Sequence, residues 1–395
     1  MPRIRQIIGF MYLTVCLATL FSCASLRPRP MAFEEAIQSV TNKLMMRVLL
    51  DRGLFFSRET VIVIDPFVNA DTGEVIRASR EIEKIIIREG QEKFKRFNFI
   101  RMTSENLRKA NYAMNGAVRY VPPGTSPSMT EGNYNVSASV VNLKTGKIIG
   151  RSDVQIYDRG LDYTSTLFYK DSPMYIKDPP SEGSIKTAMS PVGSEANRAY
   201  YDSLETLAML VEAEEAYGKS YYNRSLKLLK KVLKRPDGQL MKTHAGLYNT
   251  YRRLGRMDLA EEAFAKLLSL SIEKNKILTV KFLFDVNSVN FWRDRELKKQ
   301  YGIWLRQIGK YFSKSSYCLR IVGHCSRTGE ERYNDTLSTE RAHRIQELLK
   351  SEFPGMPGRS EAVGKGFREN VIGSGTDDER DAIDRRVEFV VTECK

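Results

Sequence analysis

Apolar positions along the chain repeat with two different periods, and the places where the period changes mark its regions. Residues 33–50 carry apolar side chains at the spacing of an amphipathic helix. Residues 60–66 (TVIVIDP) are a β-branched run ending at Asp-Pro, which predicts a buried strand closed by a turn. Within 78–97, Ile82, Ile85, Ile86, Phe94 and Phe97 return to helical spacing. A short strand over 99–101 follows, then a helix reaching Ala110 that Thr103 or Ser104 can cap. Residues 114–121 are strand-like, 134–141 alternate, 142–147 (NLKTGK) turn, and 148–157 return as the second arm of a hairpin. The order is β-α-β-α-β-β-β, an α/β domain over 33–175.

Residues 176–198 (IKDPPSEGSIKTAMSPVGSEANR) are rich in Pro, Ser and Gly without period, and predict a linker. From 199 to 275 the pattern is helical and two copies can be aligned. Leu247, Tyr251, Gly255, Ala260, Phe264 and Leu267 form one, and Tyr221, Ser225, Leu229, Val232 and Pro236 a poorer one. From 277 onward strands are expected over 280–285, 318–323, 362–366 and 386–392, with helices over 294–312 and 337–350. The fold class is thus multidomain α+β. On the last helix Leu337, Arg341, Ile345 and Leu348 share a stripe, so Arg341 lies along an apolar face. A guanidinium there needs an anionic partner, which is either an internal carboxylate or a ligand.

Composition narrows the chemistry. The 395 residues are 42% hydrophobic with net charge +14, enough apolar material for two or three cores. A basic balance in an exported chain points to anionic envelope polymers or lipid headgroups before nucleic acid, with a merely solvated basic surface as the alternative. Beyond Cys16 and Cys23 the cysteines are Cys318, Cys325 and Cys394, and the histidines are His244, His324 and His343. No CxxC pair, HExxH motif or metal-ligand cluster exists, and no histidine neighbours a GxSxG nucleophile. The expectation is a protein with no enzymatic activity, no cofactor and no metal.

At the start of the chain, Arg3 and Arg5 precede an apolar run over 7–21, too short and too early for an ordinary membrane span; residues 1–22 are expected to be a signal peptide. Leu20-Phe21-Ser22-Cys23-Ala24 resembles the lipobox of bacterial lipoproteins. The resemblance implies that Cys23 is acylated with chains such as palmitate and becomes the mature N-terminus. Ala24 in second position then implies the outer membrane. The alternative is a cleaved secretory signal with a cysteine at that place. Acyl chains contribute about 0.8 kcal/mol per buried methylene, so several make a firm anchor. Residues 23–32 would be a tether.

The 33–175 pattern, ending in NVSASVVNLKTGKIIGRSDVQI, resembles the periplasmic α/β domain of LpoB-type synthase activators, CsgG and FlgO-like lipoproteins. In those families the domain binds other envelope proteins. The 199–275 spacing resembles tetratricopeptide repeats, with spacer helices as the alternative. In the last region four motifs occur in order: Gly323-His324-Cys325-Ser326-Arg327-Thr328-Gly329, Asn334-Asp335-Thr336-Leu337-Ser338-Thr339-Glu340-Arg341-Ala342, Gly364-Lys365-Gly366 and Asp384-Arg385-Arg386-Val387-Glu388. They resemble the OmpA-like domain over 277–395, with its β-α-β-α-β-β fold. That resemblance implies non-covalent binding of the diaminopimelate-bearing stem peptide of peptidoglycan. Arg341 would grip a carboxylate, with Asn287, Ser326, Thr328, Asn334 and Arg385 lining the pocket.

The chain departs from the family at Cys325-Ser326, where the motif ordinarily reads Thr-Asp. A neutral hydrogen bond in place of a charge-assisted one predicts roughly tenfold weaker binding unless Asp335 or Asp285 compensates. If the strand at Cys318 runs antiparallel beside the last strand, Cys318 comes near Cys394 and a disulfide is geometrically allowed in an oxidising periplasm, with Cys325 left free. Three readings follow: an outer-membrane scaffold that binds the wall and recruits envelope proteins through 33–275, an LpoB-like activator of a wall synthase, and an accessory lipoprotein of a secretion or appendage complex.

Overall fold

Helix α1 (Phe33–Arg52) buries one stripe, Ala36, Ile37, Val40, Leu44, Met45 and Val48, and that stripe seats it on a mixed sheet. The computed structural model describes residues 30–52, 59–123, 132–157, 161–292, 294–377 and 379–394. The expected signal peptide and lipobox therefore lie outside the described residues. The N-terminal elements are β1 (Thr60–Ile64), β2 (Val68–Asn69), α2 (Ala78–Lys93), β3 (Phe97–Arg101), α3 (Ser104–Lys109), β4 (Tyr112–Val121), β5 (Asn133–Asn142) and β6 (Ile148–Tyr157). The sheet order is β3-β1-β4-β5-β6, with β1 parallel to β3 and β4 and the rest an antiparallel meander. Thr103 caps α3, accepting from the Asn106 N–H. In β6 the alternation places Ile148, Val154 and Ile156 inward.

Two sequence expectations fail at the edges of this domain. The 176–198 stretch is not a linker. After α4 (Leu167–Lys170), α5 (Pro179–Met189) forms there and packs against β4 and β5, with α6 (Arg198–Tyr201) following. Small residues such as Ser181, Gly183, Ser184 and Ala188 read as loop composition, yet they are buried because they let the helix approach the sheet closely. The buried Asn115 amide fastens it, donating to Ser184 O at 2.8 Å. The end of the expected tether is also docked: the Met31 N–H donates to Gln155 O at 2.9 Å beside β6.

Four helices follow as two hairpins, α7 (Leu204–Gly218) with α8 (Tyr222–Leu233), and α9 (Met241–Arg253) with α10 (Met257–Asn275). Ser225 and Ala260 are fully buried where the paired helices meet, and the Ser225 hydroxyl donates to Ala213 O.

The C-terminal sheet has the order β7-β10-β8-β9, from β7 (Ile277–Leu278), β8 (Tyr317–Gly323), β9 (Ser360–Gly364) and β10 (Val387–Glu393). Helices α11 (Arg295–Lys314) and α12 (Glu331–Glu352) pack with it, and Asp294 caps α11. The strand expected over 280–285 does not form: the strand at this edge is the two-residue β7 just before that span, which itself holds single bridges from Val280 to Met174 and from Phe284 to Phe291. The reason is tertiary: Lys281 turns its backbone N–H to Pro173 O of the N-terminal domain instead of to a neighbouring strand.

The three regions are fused. One hydrophobic cluster runs from Leu204 through Tyr248 and Phe264 to Trp304, Ile321 and Phe389. Inside it the Trp304 indole donates to the Tyr248 hydroxyl at 2.8 Å, and that hydroxyl donates to Gln300. Ile372 and Ile383 of the C-terminal region sit in the core of the N-terminal domain. Among the described residues no helix is long and apolar enough to cross a membrane.

Candidate functional site

The site forms where α12 crosses the end of β8. Gly323 permits the crossing, because a Cβ there would fall 1.9 Å from Ser338 O, and Gly364 does the same on β9, where a Cβ would meet the Ser338 hydroxyl at 2.4 Å. This close approach drives Arg341, one turn further along α12, beneath the loops that follow β8 and precede α11. Arg341 is 1% exposed.

Among the described residues no carboxylate pairs with it. Nε donates to Ser288 O at 3.0 Å, Nη1 to His324 O at 3.0 Å and to Cys325 Sγ at 3.4 Å, and Nη2 to Asp285 O at 2.9 Å. The guanidinium also lies 5.2 Å from the centre of the Phe284 ring. Carbonyl dipoles thus hold the charge, and four of its five hydrogens are used. Burial, with Arg385 close by, draws its pKa down to about 10.

Arg385 faces the same space. It is fully buried over the Trp292 ring, and Nη1 pairs with Asp377 Oδ1 at 3.2 Å, while Nε and Nη2 have no hydrogen-bond partner. Thr328 donates to Asp377 Oδ2 at 2.5 Å, and its N–H closes a turn onto Ser326 O at 2.9 Å. The Asn334 amide is buried and donates to Thr328 O and Glu330 O, so its nitrogen braces the loop. Ser326 is buried beside them, whereas Asn287 is exposed on the 285–288 turn with φ +51. Five of the six expected residues therefore converge, and Asn287 stands at the rim.

Asp335, named from the sequence as a replacement carboxylate, is taken by Arg368 through two bonds of 2.5 and 3.2 Å. Of Asp285 the pocket sees the backbone carbonyl. The residues that sequence reasoning missed are Asp377, Asp381, Asp384 and Trp292. Asp381 accepts the N–H groups of Ser374, Thr376 and Asp377, and Asp384 those of Val371, Ile372 and Gly373. Two buried carboxylates thereby shape the 371–377 loop over the pocket. Of these acids only Asp384 falls in a motif legible in the sequence, Asp384-Arg385-Arg386, which assigned it no role.

Nearby, Arg386 Nε donates to Glu388 Oε1 at 2.8 Å, and His324 Nε2 lies 3.7 Å from Glu388 Oε2. Burial pushes the Glu388 pKa upward, but these two neighbours outweigh it and hold the carboxyl at about 2. Burial lowers His324. Cys325 is buried and its thiol is pushed up by desolvation. Cys318 and Cys394 are joined in a disulfide, their Cα atoms 5.0 Å apart beside the Thr392–Cys318 register pair. An open cavity of about 470 Å³ borders the loop, between Asp71, Arg119 and Tyr120 of the N-terminal domain and Arg327, Arg368 and Asn370. No group of three metal-ligating side chains occurs among the described residues.

Residues 292–384 match the OmpA family, so the chain carries an OmpA-family domain at its C-terminal end. Among solved structures, the chain is similar to the peptidoglycan-associated lipoprotein of Burkholderia pseudomallei, with 26% identity over 28% of this chain and 88% of that one at a TM-score of 0.24. It is also similar to the periplasmic domain of Helicobacter pylori MotB, with 15% identity over 30% and 76% of the two chains and a TM-score of 0.25. A putative MotB-like protein from Desulfovibrio vulgaris shares 18% identity over 38% of this chain and 99% of its own, at a TM-score of 0.24. No curated protein matches the chain.

Proposed function

We propose that this chain is an outer-membrane lipoprotein, held by an acylated Cys23, that binds peptidoglycan non-covalently through residues 277–395 and performs no catalysis itself. The observation that carries the reading is the closeness, within an OmpA-family domain, of two buried guanidiniums, with Nε and Nη2 of Arg385 and one N–H of Arg341 left without a partner among the described residues. Unspent donors in a desolvated pocket favour a carboxylate-bearing ligand, and a stem peptide supplies carboxylates. The LpoB-like domain and the tetratricopeptide-like hairpins then serve as the surface for envelope proteins, with no role for nucleic acid.

Retention on purified sacculi tests the wall-binding step. Wild type should co-sediment, and Arg341→Lys should be lost while keeping a native circular dichroism spectrum, since an ammonium cannot reproduce the planar fork. Equal retention of both would sink the reading. The mass of the mature N-terminal peptide tests the anchor.

A regulatory reading draws support from one contact. Arg380, just beyond the pocket loop, lies over the Tyr120 ring at 5.1 Å and donates to the Tyr134 hydroxyl at 3.2 Å, so the N-terminal domain touches the segment that shapes the wall site. An LpoB-like activator or an appendage accessory would use such a link. Crosslinking in cells from residues 60–160 distinguishes them: capture of a wall synthase favours activation, and a secretion pore favours the appendage role.

A further inference from the structure

We propose that Asp377 is the ammonium acceptor of this pocket, supplying from the 371–377 loop the negative charge that Ser326 lacks. The inference rests on the peptidoglycan-binding reading and names the group on the ligand that the site selects.

Charge is the first ground. Neither buried guanidinium pairs with any carboxylate among the described residues except Asp377, which meets Arg385 at 3.2 Å. Two cations against one anion leave an excess of positive charge, and a ligand bearing only carboxylates would satisfy it. A diamino acid residue brings an ammonium as well, which needs a carboxylate within reach.

Position is the second ground. Asp377 Oδ2 accepts from Thr328 and Oδ1 from Arg385, so each oxygen retains a free lone pair, and the side chain is 20% exposed. Thr328 closes its turn onto Ser326, so the residue that holds this carboxylate lies two positions from that serine in the same tight turn. Other acids nearby are held by groups outside this turn: Asp335 by Arg368, Glu388 by Arg386, and Asp384 by three backbone N–H groups.

Backbone conformation is the third. Asp377 has φ +55, in the left-handed region that L-residues rarely adopt, and its N–H is pinned at 3.0 Å by the fully buried Asp381 carboxylate. A strained conformation held by a buried charge points the side chain at Thr328 and Arg385.

The ligand feature is therefore a free primary amine on the diamino acid of a stem peptide. Titration calorimetry of the mature chain with a soluble diaminopimelate muropeptide, and with the same muropeptide N-acetylated at the side-chain amine, tests it. Wild type should bind the free amine about tenfold more tightly than the acetylated form. Asp377→Asn should abolish that preference by weakening only the free-amine ligand, and Ser326→Asp added to Asp377→Asn should restore it, which a merely misfolded loop would not do. Unchanged discrimination in Asp377→Asn overturns the assignment while leaving wall binding intact. Failure of wild type to bind either muropeptide overturns the wall-binding reading, and this inference with it.

Discussion

Lys281 and Glu74, 207 positions apart, form an ion pair with Nζ 3.0 Å from Oε1, and both side chains are at most 5% exposed. The ammonium also donates to Tyr169 O at 2.6 Å and lies 4.4 Å from the centre of the Tyr175 ring. The first residues of the C-terminal region are thus plugged into the N-terminal domain. A buried pair is costly to break from one side, because the remaining charge is left without a partner. Lys281→Met should therefore lose on the order of 3–5 kcal/mol in urea unfolding, and Lys281→Met with Glu74→Gln should regain most of it. Additive losses in the double variant would show that the pair is not coupled.

Arg341 does structural work whatever it binds. Removing it strands the carbonyls of Asp285, Ser288 and His324. Arg341→Ala should cost on the order of 3 kcal/mol, and Arg341→Lys less, because one ammonium reaches only part of a set of acceptors arranged around a plane. Denaturant midpoints check this, and a midpoint unchanged in Arg341→Ala would contradict the buried network.

The Cys318–Cys394 disulfide spans 76 residues and ties the beginning of β8 to the end of β10. Loop entropy alone gives such a bridge about 4 kcal/mol, and Cys394→Ser should lower stability by up to that amount. In a form beginning after Cys23, alkylation without reductant should modify no cysteine when native and one, Cys325, when unfolded. Two or three modified cysteines would rule the bridge out.

Asp65, at the end of β1, is buried, and desolvation pushes its pKa up to about 7 although Tyr200 and Lys242 stand close enough to pull it down. A carboxyl whose folded value exceeds its ordinary 3.8 holds its proton more readily in the folded chain. Its contribution to stability is complete below about pH 3.8, drains away as pH rises from there to about 7, and is gone above that. Thermal unfolding should show stability falling between roughly pH 4 and 7 and levelling off above that, and Asp65→Asn should flatten that slope and be the more stable form at pH 8, by up to about 4 kcal/mol. A wild-type profile flat across this range would refute it.

Much of the secondary structure was legible in residue patterns, because each element announces itself by a period. Ile82, Ile85 and Ile86 mark α2, the alternation from Tyr134 marks β5, and Asp294 marks the start of α11 by its capping chemistry. The apolar flank of Arg341 likewise showed that its guanidinium would be buried. Failures occurred where composition and environment part company. Ser181, Gly183 and Ser184 look like a linker until the β4–β5 face is there to receive them.

By itself the sequence determined the order of elements, the four C-terminal motifs and the two arginines of the pocket, since these depend on local spacing and residue type. Only tertiary structure decided which groups neutralise those arginines. Carbonyls from two separate segments, the 285–288 turn and the loop after β8, surround Arg341, and Asp377 reaches Arg385 because Asp381 and Asp384 bend the 371–377 loop over it. Partners of a buried charge are set by distances between chain segments far apart in sequence, and no local pattern records those distances.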